Sequence, residues 1–369
     1  MNETSTRSPI RFGLVGAGKI GGRHAGILAN LPGAELVAVC DKDAARAAGL
    51  ATRHGARAYA NHRELLGGAE LDMVTIATPS GSHAEIALDV AAAGKHLVVE
   101  KPLALRLEDA DAVIEACERA RVQLFEVKQN RYNPPVLRMY QAIRAGRLGR
   151  ITLATARVRW CRPPHYYADG GGWRGTWAED GGVIANQAMH HVDMLMWLAG
   201  DVESVVARGS TVLAPIETED VGLVILRFRS GALGALEATT TARPRDIESS
   251  VSILGDRGTV EIAGVALDTV RVWALDQMTA DDEEVLRNFS APSPAVLKQG
   301  HQAFYQDVLR SLAGEKPEVI VAGPEARRAL EVLSAIYESL ETGEEVRLPF
   351  TPTRCRLGIA APPASSGGP

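Results

Sequence analysis

An α/β N-terminal domain with a doubly wound parallel sheet, followed by an α+β domain with a large, mostly antiparallel open sheet, is the fold class the sequence predicts. Three observations predict it. Residues 10–129 alternate short apolar runs with helical periods, which implies strands joined by crossover helices. A glycine loop, Gly16 to Gly21, follows the first apolar run directly. After Asn133-Pro134-Pro135 the grammar changes to long strand-like runs joined by turn pairs such as Ser230-Gly231 and Gly255-Asp256.

In chain order, the predicted strands of the first domain are Ile10 to Val15, Leu36 to Cys40, Met73 to Ala77, His96 to Val99 and Gln123 to Val127. Helices fit near Gly21 to Asn30, Asp43 to His54, His83 to Ala93 and Leu107 to Arg119. A helix to about Ala145 then precedes strands at Ile151 to Trp160, Ser204 to Leu213, Val221 to Phe228, Ala232 to Thr240, Glu248 to Leu254, Thr259 to Ile262 and Thr269 to Leu275. One helix, about Val183 to Leu198, interrupts the sheet, and two more, near Leu297 to Ala313 and Pro324 to Glu341, are expected to close that domain. The expected organisation is therefore a loose segment 1–9, a dinucleotide domain 10–130, a substrate and oligomerisation domain 131–350, and a tail 351–369 that is partly disordered.

Composition narrows the function. A net charge of -5 offers neither nucleic acid nor an anionic membrane the basic face it needs. No apolar run approaches the roughly 18 residues of a membrane span, and the polar start of the chain lacks a secretory signature. Cys40, Cys117, Cys161 and Cys355 show no metal-ligand spacing. A reducing cytoplasm is the expected compartment.

Gly16-Ala17-Gly18-Lys19-Ile20-Gly21 stands between a strand and a helix, as the dinucleotide fingerprint requires. Gly16 permits the turn, Gly18 admits a pyrophosphate to the backbone, and Gly21 lets helix and strand pack. An incidental glycine turn is the alternative for such a loop alone. Asp41, ending the next strand, supplies a carboxylate for ribose hydroxyls and so favours NAD over its 2′-phosphorylated form; Lys42 and Arg46 weaken that preference. Ala77, Thr78 and Pro79 end the third strand, where they should pass the nicotinamide ribose. His83 is either a further cofactor contact or a helix-start residue bonded to backbone.

Glu100-Lys101-Pro102 puts a lysine at the end of an apolar run in the same sheet. Proline removes a backbone donor and keeps the preceding residue extended, so pairing stops there and the ammonium is aimed beyond the sheet's carboxyl edge. On the later helix, Asn186 and His190 are four apart and Asp193 three further on, so all three can share a face. The preceding Gly181-Gly182 is expected to allow close approach to the cofactor. Imidazole is the natural base for a hydroxyl proton near neutral pH, and an ammonium can hold the developing alkoxide. Two other readings of His190-His191 are a surface pair and a zinc site; adjacent histidines point apart, and no metal is assigned.

In this order, the glycine loop, Glu100-Lys101-Pro102 and Asn186-x-x-x-His190-x-x-Asp193 resemble the glucose-fructose oxidoreductase, inositol dehydrogenase and rhizopine-catabolism (Gfo/Idh/MocA) family, from Arg11 to about Pro349. The resemblance implies NAD-dependent oxidation of a CH–OH group, with Lys101 and His190 as the catalytic pair and Asn186 beside them. The family commonly has aspartate where Asn186 stands, so Asn186 is expected to orient the sugar rather than accept a proton. A narrower resemblance, through residues 125–134, 173–177 and 182–193, is to members that oxidise the sugar 3-hydroxyl of a UDP-linked N-acetylamino-uronate for bacterial surface polysaccharides. It implies that Gln129 lies near the nicotinamide, with Glu100 and Lys101, and Asn130 near the sugar.

Residues 157–177 hold Arg157, Arg159, Arg162 and Arg174 and three of the five tryptophans. Guanidinium groups suit a diphosphate or carboxylate, and aromatic faces suit a base or sugar. A solvated arginine face followed by an interface loop is the alternative. The candidate substrate contacts are Asn130, Arg131, Tyr132, Arg159, Tyr166, Trp173, Arg174, Asn186 and Asp193. The expected partners are a UDP-sugar, a 2-oxo acid if tightly held NADH must be reoxidised, and further copies of the chain in a dimer or tetramer. Dehydrogenation or keto reduction of a free sugar, inositol or another nucleotide-sugar, redox sensing without catalysis, and an NAD-dependent glycosidase are the competing readings.

Overall fold

In a computed structural model, residues 8–292 and 296–360 are described, with backbone alone at 296–298. The chain forms two compact units. One comprises residues up to Ala104, Glu108–Tyr132 and Lys298–Arg327, and the other Leu105–Leu107, Asn133–Leu297 and Arg328 onward.

The first unit is a Rossmann-type layer structure. Strands β1 (Ile10–Val15), β2 (Ala34–Cys40), β3 (Arg57–Tyr59), β4 (Met73–Ile76), β5 (His96–Val99) and β6 (Leu124–Glu126) run parallel in the order β6-β5-β4-β1-β2-β3. Val321–Ala322 adds an antiparallel edge beside β6. All four residues of β4 are buried, as expected of a strand covered on both faces. The strand order reverses at β1, which pairs with β2 on one side and β4 on the other. Open α/β sheets bind their ligands at such a switch point. Helix α1 (Lys19–Leu28) follows β1, α2 (Ala44–His54) follows β2, α3 (His62–Gly68) follows β3, and α4 (His83–Ala92) follows β4.

Phe12, Leu14, Leu28, Val39, Met73, Val98 and Phe125 form the core with Phe304, Tyr305 and Val308. Those last three lie on helix Val296–Leu312. The sequence expectation that this helix closes the second domain is therefore corrected: its apolar face completes the first unit. Strand β3 and helix α3 were not legible either, because β3 spans three residues and has no apolar run of its own.

The second unit is built on strands β7 (Ile151–Arg159), β8 (Val202–Ser210), β9 (Val221–Phe228), β10 (Leu233–Thr239), β11 (Glu248–Gly255), β12 (Gly258–Ala263) and β13 (Thr269–Leu275), in the order β13-β12-β11-β7-β10-β9-β8. Every pairing among them is antiparallel except β7 with β10. Alternate residues of β9 are buried and exposed, with Leu223 and Ile225 facing out, so this sheet is open on one face. Helix Met189–Ala199 packs against β7, β10 and β11.

Only parts of 1–9 and 351–369 lie within the described residues. Residues 351–360 are held in place, since Glu338 accepts hydrogen bonds from the amides of Thr353, Arg354 and Cys355. No helix of the described residues is long and apolar enough to cross a membrane.

Candidate active site

The glycine loop is shaped by the strand ends beside it. Gly16 has φ +103°, and a Cβ there would lie 2.5 Å from the Ala77 carbonyl oxygen, so only glycine fits. A Cβ on Gly21 would lie 1.9 Å from the Gly16 carbonyl oxygen, whereas one on Gly18 would meet nothing within 4 Å. Gly18 is also the N-cap of α1 and carries no capping side chain, so the helix opens on a bare, positively polarised backbone. This is a cradle for phosphate. Lys19 is exposed in the first turn, and Ile20 packs on the core. Asp41 accepts hydrogen bonds from the Ala17 amide (2.7 Å) and the Asp43 amide (2.9 Å), which ties the loop to the end of β2.

Three side chains clamp the segment that carries Lys101. Glu100 Oε2 accepts from the Lys101 amide at 3.1 Å, and Glu126 Oε1 accepts from the Leu103 amide at 3.1 Å. His83 Nδ1 lies 2.8 Å from the Pro102 carbonyl oxygen and its Nε2 3.0 Å from that of Thr78. The two carboxylates each have a buried partner of their own. Glu126 also accepts from Lys128 Nζ at 2.9 Å, and Glu100 Oε1 lies 3.0 Å from His24 Nε2. His24 Nδ1 in turn meets the Tyr305 hydroxyl, which meets Thr75 Oγ1. Burial alone would raise the Glu100 pKa; the His24 hydrogen bond and the neighbouring charges of His24, His301 and Lys101 hold it well below the ordinary carboxylate range. His83 is buried between the Pro102 and Thr78 carbonyls; burial lowers its pKa, and a neutral imidazole donates its single N–H to one of the two, the bonded-to-backbone arrangement that was the alternative to a cofactor contact.

Gln129 and Asn130 are half-buried at the start of a short 3₁₀ turn. The next two residues depart from expectation. Arg131 is buried and paired with Glu325 at 3.0 Å, and Tyr132 is buried with its hydroxyl on Asp307 at 3.1 Å. Both are core residues rather than substrate contacts. Arg159, partly exposed, pairs across strands with Glu237 (2.6 Å) and Glu248 (3.4 Å). Its strand puts it in a charged ladder on the sheet.

In the second unit, the predicted single helix divides. Val183–Gln187 is a π-helical turn, and Met189–Ala199 is a regular α-helix. His190, His191 and Asp193 are all buried, so the surface-pair reading fails. His191 Nε2 bonds Ser249 Oγ at 2.7 Å, and burial pushes its pKa down to about 3. It is a neutral core residue. Asn186 donates from Nδ2 to Asp180 Oδ1 at 2.5 Å and accepts on Oδ1 from Gln187 Nε2 at 2.8 Å. Gln187 Nε2 also reaches the Tyr166 hydroxyl at 2.8 Å, and its Oε1 accepts from Arg162 Nη2 at 3.2 Å.

The network then continues into the aromatic segment. The Arg162 guanidinium lies over Trp160 and Tyr166, and that of Arg174 over Tyr166 and Trp173. Arg162 is anchored by Asp246 at 2.9 Å. Stacked guanidinium groups with fixed donors suit a planar or anionic ligand. Asp180, Gln187 and Arg162 thus belong with the predicted Asn186, Tyr166, Trp173 and Arg174. Gln187 adjoins Asn186 in sequence, but nothing local marks Asp180. The glycines before the helix also have another explanation: Cβ atoms on Gly181 and Gly182 would strike Ala185 and Glu219, so the close approach they allow is to the protein itself.

Two groups of ligand-type atoms lie within 4.8 Å among the described residues, His24 with Glu100 and His301, and His62 with Glu85 and Asp89. The first is held by the His24–Glu100 hydrogen bond, and in the second Arg63 pairs with both acids.

A dinucleotide cradle at a switch point, with a hydrogen-bonded Glu-Lys-Pro turn in the same unit, defines the class as NAD-dependent dehydrogenase. The chain belongs to the Gfo/Idh/MocA oxidoreductase family. The family model described as "Oxidoreductase family, NAD-binding Rossmann fold" matches residues 10–128, and "GFO/IDH/MocA C-terminal domain" matches 136–261. The inositol 2-dehydrogenase of Rubrobacter xylanophilus is 31% identical over 90% of this chain and 92% of its own. The WlbA dehydrogenase of Bordetella pertussis, solved with NADH and UDP-GlcNAcA, superposes with a TM-score of 0.89 at 40% identity, covering 94% of this chain and 99% of that one. GenD2 from gentamicin A biosynthesis, solved with NAD, gives 0.80 at 26% identity over 95% and 99%.

Proposed function

We propose that this NAD-dependent sugar dehydrogenase oxidises the 3-hydroxyl of a UDP-linked N-acetylamino-uronate to the 3-keto sugar. The observation that carries the substrate is the 40% identity with WlbA over nearly the whole chain, against 31% for the inositol dehydrogenase. The guanidinium and aromatic network of Arg162, Tyr166, Trp173 and Arg174 supports it, because diphosphate, carboxylate and uracil match those groups in charge and shape.

In this reading His190 takes the hydroxyl proton and the Lys101 ammonium stabilises the developing alkoxide. The Gly16–Gly21 loop would hold NAD, which would supply the hydride acceptor for this chemistry. Asn186, held from both ends of its amide, orients the sugar. Gln129 and Asn130 flank the reacting groups, and Asp41 takes the ribose. Purified protein is expected to reduce NAD with UDP-N-acetylglucosaminuronate, and Lys101→Ala and His190→Ala to lose at least about 100-fold in kcat. Unchanged turnover in both variants overturns the assignment of the pair.

The inositol dehydrogenases that match over most of the chain favour a second reading, oxidation of a free cyclitol or sugar. Thermal stabilisation by myo-inositol but not by UDP would select it.

A further inference from the structure

We propose that Glu219 and Tyr337 position Asn186 and His190 by capping, from distant parts of the chain, the π-helical turn Val183–Gln187. The inference rests on the reading of His190 as the base. Neither residue touches the reacting atoms in this scheme, so both are positioning residues.

Every helix begins with backbone amides that have no partner within it. Serine, threonine, aspartate or asparagine at the N-cap usually accepts one of them. Here the N-cap is Gly182, which has no side chain to offer. All of the first amides are nevertheless satisfied. Gly182 N donates to the Tyr337 hydroxyl at 3.0 Å, Val183 N to the Glu219 carbonyl at 2.8 Å, Ile184 N to Glu219 Oε1 at 2.9 Å, and Ala185 N to the Tyr337 hydroxyl at 3.3 Å. The Tyr337 hydroxyl gives its own proton to Glu219 Oε1 at 2.8 Å. One carboxyl, one carbonyl and one hydroxyl hold four amides.

The fit leaves no slack. Both side chains are buried, and a Cβ on Gly182 would lie 2.2 Å from Glu219 Oε2 and 2.3 Å from the Glu219 carbonyl oxygen. The glycine pair is therefore the complement of the cap. Glu219 Oε2 is buried without a hydrogen-bond partner, a poor setting for a carboxylate and an acceptable one for a neutral carboxyl. Burial raises the Glu219 pKa to about 7, against the Ile184 and Tyr337 hydrogen bonds, and Asp180 adds to the rise. What the cap uses is an oxygen acceptor at Oε1, not a negative charge.

The consequence for Asn186 follows from helix geometry. A π turn holds one residue more than an α turn, and each residue of an α-helix turns the chain by about 100°. Relaxation of Val183–Gln187 to α geometry would swing Asn186 around the axis relative to His190. The cap keeps the wider turn, and with it the hydrogen bonds from Asn186 to Asp180 and Gln187.

The test compares Glu219→Gln, Glu219→Ala and Tyr337→Phe in the full chain, with two readouts. Amide hydrogen exchange over residues 182–187 reads the cap, and steady-state kinetics with UDP-N-acetylglucosaminuronate and NAD read its effect. Glu219→Gln keeps the Oε1 acceptor and is expected to keep protection and to stay within about threefold of the parent kcat. Glu219→Ala and Tyr337→Phe are expected to lose protection and at least about tenfold in kcat, with KM for NAD unchanged. If Glu219→Ala does not fold, Tyr337→Phe against Glu219→Gln decides. Protection and kcat retained in Tyr337→Phe, or lost as fully in Glu219→Gln as in the alanine variant, overturns the inference. Full turnover in His190→Ala overturns the choice of base instead, and leaves the exchange result to judge the cap.

Discussion

Asp180 Oδ1 accepts a hydrogen bond from Asn186 Nδ2 at 2.5 Å, and Asp180 Oδ2 accepts another from the Gly175 amide at 2.8 Å. A buried carboxylate therefore stands against the Asn186 amide. It fixes which end of the Asn186 amide faces away from Gln187. Asp180→Ala removes both acceptors and is expected to lower stability by about 1.5–3 kcal/mol, the usual value for hydrogen bonds to a charged group. It should also lower kcat about tenfold while KM for NAD is unchanged. Thermal denaturation and steady-state kinetics check both, and a parent-like kcat would remove Asp180 from the account.

Glu100 ties stability to pH. Its folded-state pKa lies below the ordinary 4.5, so its stabilisation is complete above that value and is lost as pH falls toward the folded pKa. Glu100→Gln removes the carboxylate that bonds His24 and the Lys101 amide, and is expected to destabilise the protein by about 1.5–3 kcal/mol at pH 7. The difference from the parent should shrink as pH falls below about 4.5. Denaturant midpoints at pH 7 and pH 4 measure it. A difference that grows on acidification contradicts the ionised assignment.

Asp41 uses both carboxylate oxygens on backbone amides, so it shapes the loop, and in the proposed site its charge also meets the ribose. Asp41→Ala is expected to raise KM for NAD about tenfold or more, since hydrogen bonds to a charged group contribute about 1.5–3 kcal/mol. It should also narrow the preference for NAD over NADP, because the repulsion of a 2′-phosphate is removed. Initial rates with both cofactors give the ratio, and an unchanged ratio rejects the charge argument.

How much was legible can be judged residue by residue. Gly16 and Gly21 were read correctly as turn and packing glycines, because a fingerprint between a strand and a helix states its own context. The place of Lys101 just beyond β5 is legible, because Leu97, Val98 and Val99 close an apolar run shortly before a proline. That of Arg159 is not, since its partner Glu237 lies on β10, which pairs with β7 in parallel through a connection no local pattern reveals. Gly181 and Gly182 stand out in the sequence, but what they accommodate is Ala185 and Glu219 rather than a ligand, and Glu219 lies far away along the chain.

By itself the sequence determined the two-domain class, the cofactor loop, the position of Lys101 and the helix that carries His190. Each of these rests on spacing within a few residues, where backbone geometry is enough. The tertiary structure decided that Arg131 and Tyr132 are core, that helix Val296–Leu312 completes the first unit, and that His24 holds Glu100. It also decided that Asp180 faces Asn186 and that Glu219 and Tyr337 cap its turn. A polar group is assigned its role by whatever satisfies it when water is removed, and most of these partners lie far away along the chain.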